Sequence, residues 1–174
     1  MASPARIRDL ETTELEAYIA LRQESLADSP LSFGAAPETD RLSDAAFLES
    51  LIGNPEQQLL LVAEREGRLI GSASALRASG VKRGHRADVY AMYVTPAERG
   101  QGVARALMET LLERLRAWGV ERVDLSVTDA APAAQGLYRS LGFVEWGQDR
   151  DSLRWQGSST VEHHMTLRWT DSEA

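Results

Sequence analysis

The chain has 174 residues, of which 43% are hydrophobic and 26% are charged, and its formal net charge at pH 7 is -7. The acidic charge argues against nucleic-acid binding, which needs Lys and Arg against phosphate, and the absence of cysteine excludes disulfides and thiolate zinc sites. The length suits one domain spanning residues 1–174, and because no apolar run reaches the ~18 residues needed to span a bilayer, we expect a cytoplasmic protein with no membrane partner.

The N-terminal third of the chain predicts a short strand, two helices and a loop between them. A strand is expected near residues 7–10, and Thr13 with Glu16 forms a capping-box pattern ahead of apolar residues at helical spacing. The first helix is therefore predicted to begin after Thr13. Residues 28–40 are rich in Ser, Pro, Gly and Asp, which predicts a loop, and Ser43 is expected to cap the second helix.

A β-hairpin and a third strand are predicted next. Apolar residues at 58–64 and 69–76 flank the turn-forming residues 65–67, which is the pattern of a hairpin. Residues 79–86 are basic, contain glycine and predict a loop. The following residues, 87–94, predict a strand.

Helices and a strand alternate after this point. Apolar side chains recur at helical spacing from 103 to 118, and Gly119 is placed to end that helix in the left-handed conformation. Alternating apolar residues at 123–127 predict a strand that lies beside the preceding one after a right-handed crossover. A further helix is expected from Pro132, which the first helical turn tolerates, to just before Gly142.

The C-terminal part of the chain predicts two last strands. They are expected at 143–146 and 165–169, with a polar loop at 147–159 between them. The terminal residues 1–4 and 171–174 are expected to be loosely ordered. The sequence contains no internal repeat and no interdomain linker.

The most informative stretch joins the strand at 87–94 to the helix at 103–118. The first N–H groups of a helix have no partner within the helix, and the helix dipole adds partial positive charge, so the main chain there can hold phosphate oxygens. Gly100 and Gly102 can adopt positive φ and let a diphosphate approach closely, while Arg99 adds a permanent positive charge. The stretch therefore predicts an anion site.

Two nucleotide-binding motifs fit this stretch poorly. The P-loop requires Lys followed by Ser or Thr after its last glycine, whereas Val103 and Ala104 follow Gly102. The dinucleotide-binding fingerprint requires a third glycine where this chain has Arg105. A nucleotide-binding α/β domain is therefore disfavoured, although stabilisation by ATP or NAD would revive it.

Two blocks of sequence, separated by one helix and one strand, carry a resemblance to a known family. The first block is Arg99-x-x-Gly102-x-Ala104. The second block consists of Ala134, Leu137, Tyr138, Leu141, Gly142 and Phe143. Together they resemble the Gln/Arg-x-x-Gly-x-Gly/Ala signature and the Ala-x-x-Leu-Tyr-x-x-x-Gly-Phe segment of the GCN5-related N-acetyltransferase (GNAT) superfamily. The resemblance is sharpest over residues 88–146.

The resemblance implies a single-domain α/β (α+β) acyl-CoA N-acyltransferase fold, with a mixed, mostly antiparallel central sheet, splayed middle strands and flanking helices. It further implies transfer of the acetyl group of acetyl-CoA, the co-substrate, to a primary amine by direct attack in a ternary complex. The gap between the splayed strands would take the pantetheine arm, whose amides need main-chain partners. The residues implied to bind acetyl-CoA are Met92, Tyr93 and Val94 for the arm and Arg99, Gly100, Gln101, Gly102, Val103 and Ala104 for the diphosphate.

Tyr138 is the catalytic residue that the resemblance implies. It matches the general-acid tyrosine of the family, which protonates the departing thiolate. This chain departs from the pattern at Ala131, seven positions before the tyrosine, where many relatives carry an Asn that contacts the cofactor arm. Ala131 cannot make that side-chain contact, so Asp129 or a water molecule is the alternative partner for the cofactor arm.

The sequence does not assign the general base and predicts no metal site. The candidates for the base are Glu64, Asp88, His85 and Glu162, and a water chain is the alternative. Adjacent residues of a strand face opposite sides of a sheet, so His163 and His164 would not bind one metal ion together.

The acceptor is implied to be a small-molecule or peptide amine. Its identity stays open, because the variable stretches 28–40, 79–86 and 147–159 would shape the pocket that holds it. A noncatalytic acyl-CoA-binding or sensor module is the alternative function. Homodimers are common among relatives, but the sequence indicates no interface.

Overall fold

The computed structural model describes residues 3–169, and the expectation of loose order at residues 1–2 and 171–174 lies outside the described residues. The described chain contains seven strands: β1 (Arg6–Asp9), β2 (Gln58–Arg65), β3 (Arg68–Arg77), β4 (Arg86–Val94), β5 (Arg122–Thr128), β6 (Val144–Trp155) and β7 (Ser158–Arg168). It also contains four α-helices: α1 (Leu15–Asp28), α2 (Ala45–Ile52), α3 (Val103–Ala117) and α4 (Pro132–Ser140). No helix within residues 3–169 combines the length and the apolar character needed to cross a bilayer.

The seven strands form one mixed sheet in the order β1-β2-β3-β4-β5-β7-β6. Every neighbouring pair is antiparallel except β4 and β5, which are parallel because α3 crosses over between them. This arrangement confirms the mixed, mostly antiparallel sheet with flanking helices that the resemblance implied.

The two parallel strands in the middle of the sheet stay together for only three residue pairs. Arg86, Ala87 and Asp88 of β4 pair with Arg122, Val123 and Asp124 of β5. Past this point β5 continues along β7, and β4 continues along β3, so the two strands separate. The prediction of splayed middle strands is therefore confirmed, and the sheet contains a cleft between β4 and β5.

Helices cover the two faces of the sheet unequally. On one face, α3 places Leu107, Leu111 and Leu115, each 0% exposed, against a core that includes Val123 and Met165. On the other face, α1 and α2 bury Tyr18 and Leu48 against Leu60 and Val62 of β2. Helices α1 and α2 contact β2 and β3, so the second face is left open at β5, β7 and β6.

The first two helices begin differently from the prediction. Thr13 lies inside a 3-10 turn, Thr12–Glu14, in which the carboxylate of Glu14 accepts a hydrogen bond from the N–H of Glu11, so the predicted capping box is wrong. The cap of α2 is Asp44, which accepts from the N–H of Phe47 at 2.7 Å. Ser43 does not cap α2, because its hydroxyl is bonded to Asp40 at 2.8 Å.

The predicted loop at 147–159 is wrong, because β6 and β7 form one long hairpin through this region. The strands are joined by Gln156 and Gly157, whose φ values of 47° and 83° suit a tight hairpin turn. Strand β6 lies at the edge of the sheet and is largely exposed on both faces, so its sequence lacks the apolar alternation from which strands are predicted.

Candidate active site

A cavity of about 970 Å³ occupies the gap between β4 and β5. Its walls come from these two strands, the turn before α3, helix α4 and the loop after α1. Of the residues that the sequence predicted for the site, those on the wall are Met92, Tyr93, Val94, Arg99, Gly100, Gly102, Val103, Ala104 and Tyr138. Gln101 is not on the wall, and its side chain accepts a hydrogen bond from Arg65 at 2.8 Å and donates one to the carbonyl of Ala97 at 3.2 Å.

The turn before α3 presents unpaired N–H groups to the cavity. Gly100 and Gly102 have φ values of 75° and 81°, and Gly102 is the N-cap of the helix. Within residues 3–169, no protein group accepts a hydrogen bond from the main-chain N–H groups of residues 100–105, and the first helical bond runs from Ala106 to Gly102 at 3.0 Å. These donors and the positive end of the helix dipole together can hold an anion.

Arg99 lies at the rim of this turn and is held by the protein itself. Its Nε donates to the carbonyl of Val94 at 3.0 Å, and its guanidinium pairs with Asp28 at the end of α1. The hydrogen bond from Arg99 lowers the pKa of the Asp28 carboxyl. The guanidinium also lies 5.6 Å from the centroid of the Tyr93 ring. Its charge is therefore shared with Asp28, and its position is fixed beside the unpaired N–H groups.

A β-bulge shapes the side of β4 that faces the cleft. Ser72 of β3 lies opposite Tyr93 and Ser74 lies opposite Tyr90, so two residues of β4 oppose one residue of β3. The extra residue is accommodated at Ala91, which has a φ of 53°, and the hydroxyl of Ser72 donates to the carbonyl of Ala91 at 3.2 Å. Such bulges redirect main-chain groups, and here the bulge lies where β4 has lost β5 as a partner.

Main-chain groups of β4 are therefore available on the edge toward β5, while the side chains next to them pack into the protein. Tyr93 and Val94 are buried, and Met92 packs against the core at its edge. The hydroxyl of Tyr93 donates to Glu24 of α1 at 3.0 Å. The edge can pair with an extended molecule made of amides and methylenes.

Tyr138 projects from α4 toward the same cleft. Its ring is buried against Phe143, edge to face, with 5.9 Å between the ring centroids. No residue within 3–169 forms a hydrogen bond with its hydroxyl, and the residue lines the cavity. Burial raises the pKa of the Tyr138 phenol above its ordinary value, so the hydroxyl keeps its proton at neutral pH and can act as a donor.

The four candidates for the general base separate into two that lie at the cavity and two that do not. Asp88 and Glu162 are on its wall. Partial desolvation raises the pKa of the Asp88 carboxyl, and the negative charge of Asp124 adds to the rise. Glu64 instead forms an ion pair with Arg8 at 3.0 Å, and His85 lies in the loop before β4, away from the wall.

The sequence analysis did not predict a stacked pair of rings on the β6–β7 side of the cavity. Trp146 of β6 stacks on His164 of β7, with 5.3 Å between the ring centroids, and Nδ1 of His164 lies 2.8 Å from the hydroxyl of Ser126. His163 faces the other side of the sheet, where its Nδ1 lies 3.0 Å from Glu145. The alternation of the two histidines was predicted, but the pairing of Trp146 depends on the β6–β7 register. Residues 3–169 contain no group of three or more side chains suited to bind a metal.

The sequence matches a known family model and known proteins. The model of the acetyltransferase (GNAT) family matches residues 18–143. The mycothiol acetyltransferase of Thermobispora bispora is 42% identical over 91 residues, which cover 51% of this chain and 30% of that protein. The chain spans only 30% to 40% of the length of the curated relatives that it matches first.

Solved structures show the same fold. A GNAT-family acetyltransferase from Streptococcus pneumoniae superposes with a TM-score of 0.84 at 19% identity, covering 95% of this chain and 100% of that one. A GNAT-superfamily phosphinothricin acetyltransferase from Sinorhizobium meliloti, solved in complex with acetyl-CoA, superposes with a TM-score of 0.82 at 23% identity, covering 95% of this chain and 89% of that one.

Proposed function

The chain belongs to the acetyltransferase (GNAT) family, and from this premise we propose that it is an acetyl-CoA-dependent N-acetyltransferase acting on a primary amine. The observation that carries the proposal is the row of unpaired N–H groups at residues 100–105, which lies at one end of a cleft lined by Tyr138. A nucleotide site would also use such N–H groups. The open edge of β4 favours acetyl-CoA, because its pantetheine arm needs main-chain partners.

The site residues divide between the two parts of the cofactor. We assign the diphosphate to the main chain of Gly100, Gln101, Gly102, Val103 and Ala104, with the charge of Arg99 beside it. We assign the pantetheine arm to the main chain of Met92, Tyr93 and Val94. Ala131, which lines the cavity at the N-cap of α4, offers the arm no side-chain hydrogen bond, so the arm depends more on β4.

The chemistry requires three contributions from the protein. When bound, acetyl-CoA supplies an acetyl thioester, from which the amine nitrogen takes the acetyl carbon as the C–N bond forms and the C–S bond breaks. Main-chain N–H groups of β4 near Met92 and Tyr93 stabilise the charge that develops on the carbonyl oxygen. Tyr138 gives its proton to the departing sulfur, so that CoA leaves as a thiol.

The amine nitrogen loses one proton when it becomes the amide nitrogen. It passes to a carboxylate at the cavity, Asp88 or Glu162, or to water, and Tyr138 recovers its proton from the same solvent-connected groups. The products are an amide and free CoA.

Two measurements separate an enzyme from a noncatalytic acyl-CoA-binding module. Calorimetry with acetyl-CoA reports binding, and a thiol reagent reports the CoA released in the presence of a panel of primary amines. We expect binding together with amine-dependent thiol release. Binding without thiol release from any amine would favour the sensor module, and absence of binding would refute both functions.

Three further expectations stay predictions. These are the cytoplasmic location, the homodimer and the organisation of residues 1–174 as one domain. Gel filtration with light scattering would decide the second, and limited proteolysis with mass spectrometry would decide the third.

A further inference from the structure

The sheet face that α1 and α2 leave open at β5, β7 and β6 carries polar and aromatic side chains that line the cavity. Alternation along β5 and β7 places Leu125, Val127 and Met165 in the core and turns Ser126, Glu162 and His164 toward the cavity. We call the surface formed by Ser126, Trp146, Glu162 and His164 the acceptor face. It lies across the cleft from the unpaired N–H groups of residues 100–105, so it is not needed for the diphosphate.

Trp146 is the most unusual member of the acceptor face. Trp146 is 61% exposed, although it lines the cavity. Its ring stacks on the ring of His164, with an angle of 29° between the two planes. The hydrogen bond between His164 and Ser126 fixes the lower ring of this stack. The pair therefore presents a flat, solvated aromatic surface on which another planar group can stack.

Glu162 supplies a negative charge at a defined distance from this surface. Within residues 3–169 its carboxylate has no ion pair and no hydrogen bond, whereas Asp124 on the same face is held by Arg86 at 3.1 Å and Arg122 at 2.9 Å. Glu162 and His164 are two residues apart on β7, which separates their side chains by roughly 7 Å on one face of a strand. This spacing places the carboxylate beside the stacked pair of Trp146 and His164, where a ring stacked on the pair could carry an amino group on a short chain.

The loop after α1 closes this part of the cavity from above. The hydroxyl of Thr128 donates to the carbonyl of Leu31 at 2.9 Å, which ties the loop to the end of β5. Farther along the loop, a Cβ built on Gly34 would lie 3.9 Å from Leu153 of β6, so loop and hairpin are in contact. The loop therefore covers the end of the acceptor face that carries Glu162, whereas Trp146 at the other end stays open to solvent.

We propose that the acceptor is a small arylalkylamine without a carboxylate, with its ring on Trp146 and its ammonium group at Glu162. This inference rests on the proposed function and concerns the acceptor half of the same cavity. An amino acid with the same ring is disfavoured, because its carboxylate would lie beside Glu162. In the described part of the chain, each of the five arginines that line the cavity is already paired with a carboxylate of the protein. An aliphatic polyamine would satisfy Glu162 but would leave the aromatic surface in water.

The test compares matched amines at saturating acetyl-CoA, with CoA thiol release as the readout. Tryptamine and tyramine are expected to have a kcat/KM at least about tenfold above tryptophan and tyrosine, the difference that one charged hydrogen bond makes. Spermidine serves as the aliphatic cation and is expected to react more slowly than tryptamine.

Three variants locate the effect. Trp146→Ala is expected to raise the KM for tryptamine about 3- to 10-fold, the range of an aromatic contact, and to leave the affinity for acetyl-CoA unchanged. Glu162→Gln is expected to raise the KM for tryptamine about tenfold. It should also reduce the ratio of kcat/KM for tryptamine to kcat/KM for tryptophan. Trp155→Ala removes the other exposed Trp of β6, which does not line the cavity, and is the matched control.

The outcomes distinguish this inference from the proposed function. Acetyl-CoA binding and thiol release with amino acids or spermidine in preference to tryptamine would overturn the inference and leave the acetyltransferase intact. Equal effects of Trp146→Ala and Trp155→Ala would also overturn it. Failure to bind acetyl-CoA at all would overturn the proposed function itself.

Discussion

Tyr138 combines a buried ring with a hydroxyl that has no hydrogen-bond partner among the described residues, and the residue lines the cavity, which suits it to proton donation. Burial raises the pKa of its phenol, so the protonated form persists to a higher pH than that of a tyrosine in water. A group that must deliver a proton to a thiolate benefits from this, because it is fully loaded throughout the neutral range. The absence of a protein partner leaves the hydroxyl free to face a ligand.

We expect Tyr138→Phe to lower kcat by about 10² to 10⁴, the usual contribution of general acid catalysis, and to leave the affinity for acetyl-CoA nearly unchanged. The fold should be retained, because the ring and its contact with Phe143 are kept. The measurement is kcat from thiol release with a reactive amine, together with calorimetry for acetyl-CoA.

Tyr90→Phe is the matched control for this prediction. It removes another phenolic hydroxyl, which donates to Gln58 at 2.9 Å and is therefore occupied within the protein. An unchanged kcat in Tyr138→Phe would remove Tyr138 from the mechanism, whatever its effect on stability.

At the scale of elements, helix α3 has a glycine in the left-handed conformation at each end. Gly102 at its start has a φ of 81° and Gly119 just after its end has a φ of 76°, and a Cβ at either position would meet no atom within 4 Å. An alanine at either site therefore adds backbone strain of about 1 to 2 kcal/mol without a clash. Only the first site borders the predicted diphosphate.

Gly102→Ala is expected to weaken acetyl-CoA binding by about tenfold or more, because relaxation of the strained turn would redirect N–H groups that the diphosphate needs. Both variants should lower the melting temperature by a similar amount, because both strain the backbone. Gly119→Ala should leave the dissociation constant for acetyl-CoA unchanged. Calorimetry measures the acetyl-CoA affinity of both variants, and thermal unfolding measures their melting temperatures. Equal acetyl-CoA affinities in the two variants would contradict the assignment of the diphosphate to this turn.

A second element-scale feature fixes the loop that follows α1. Arg22 of α1 and Asp40 at the end of the loop form a bidentate ion pair at 2.9 and 3.0 Å, with side chains that are 8% and 3% exposed. Burial alone would raise the pKa of the Asp40 carboxyl, but hydrogen bonds from Arg22 and Ser43 outweigh it and lower the pKa. Arg22 also lies over the ring of Phe33 within the loop.

Asp40→Asn is expected to cost about 3 kcal/mol of the free energy of unfolding, because it leaves the buried charge of Arg22 without its partner. Since folding lowers the pKa of Asp40, the contribution of the pair is present above the unfolded pKa of about 3.9 and is lost as the pH falls through the folded value. The difference between the wild type and Asp40→Asn, measured by urea unfolding, should therefore shrink at acidic pH.

The exposed pair Asp151–Arg154 provides the control, since Arg154 is 78% exposed. Asp151→Asn should change the free energy of unfolding far less than Asp40→Asn, because water screens an exposed ion pair. A similar loss in both variants would show that the buried pair has no special role.

At the scale of the whole molecule, the cleft divides the sheet between β4 and β5. The two halves are joined by the short pairing at residues 86–88 and 122–124, by the packing of α3 and by the hydrogen bond from Thr128 to Leu31. A ligand that pairs with the open edge of β4 would restore contacts across the gap. Binding should therefore stabilise the fold as a unit.

We expect acetyl-CoA at about 100 times its dissociation constant to add roughly 2.7 kcal/mol to the free energy of unfolding, which raises the melting temperature by about 5 to 11 °C in a chain of this size. Differential scanning fluorimetry measures the shift. ATP and NAD at the same concentration should give a smaller shift, because they lack the pantetheine arm. A larger shift with either nucleotide would revive the nucleotide-binding interpretation.

Local sequence determined much of the backbone. Helix α3 ends at Ala117, and Gly119 follows it with the predicted positive φ, because a left-handed residue after a helix end has a short-range sequence signature. The hairpin of β2 and β3 and the helix from Pro132 follow from similarly local patterns. The two motif blocks pointed to the family, and the family model that matches residues 18–143 confirmed it.

Tertiary structure decided what no short window of sequence contains. The long β6–β7 hairpin was missed because an edge strand exposed on both faces has no apolar alternation, and the pairing of Trp146 with His164 depends on the register of that hairpin. Likewise, the contact of Arg99 with Asp28 joins residues 71 apart in the chain. Propensity and periodicity act over a few residues, whereas the acceptor face is assembled by strands that meet only when the sheet closes.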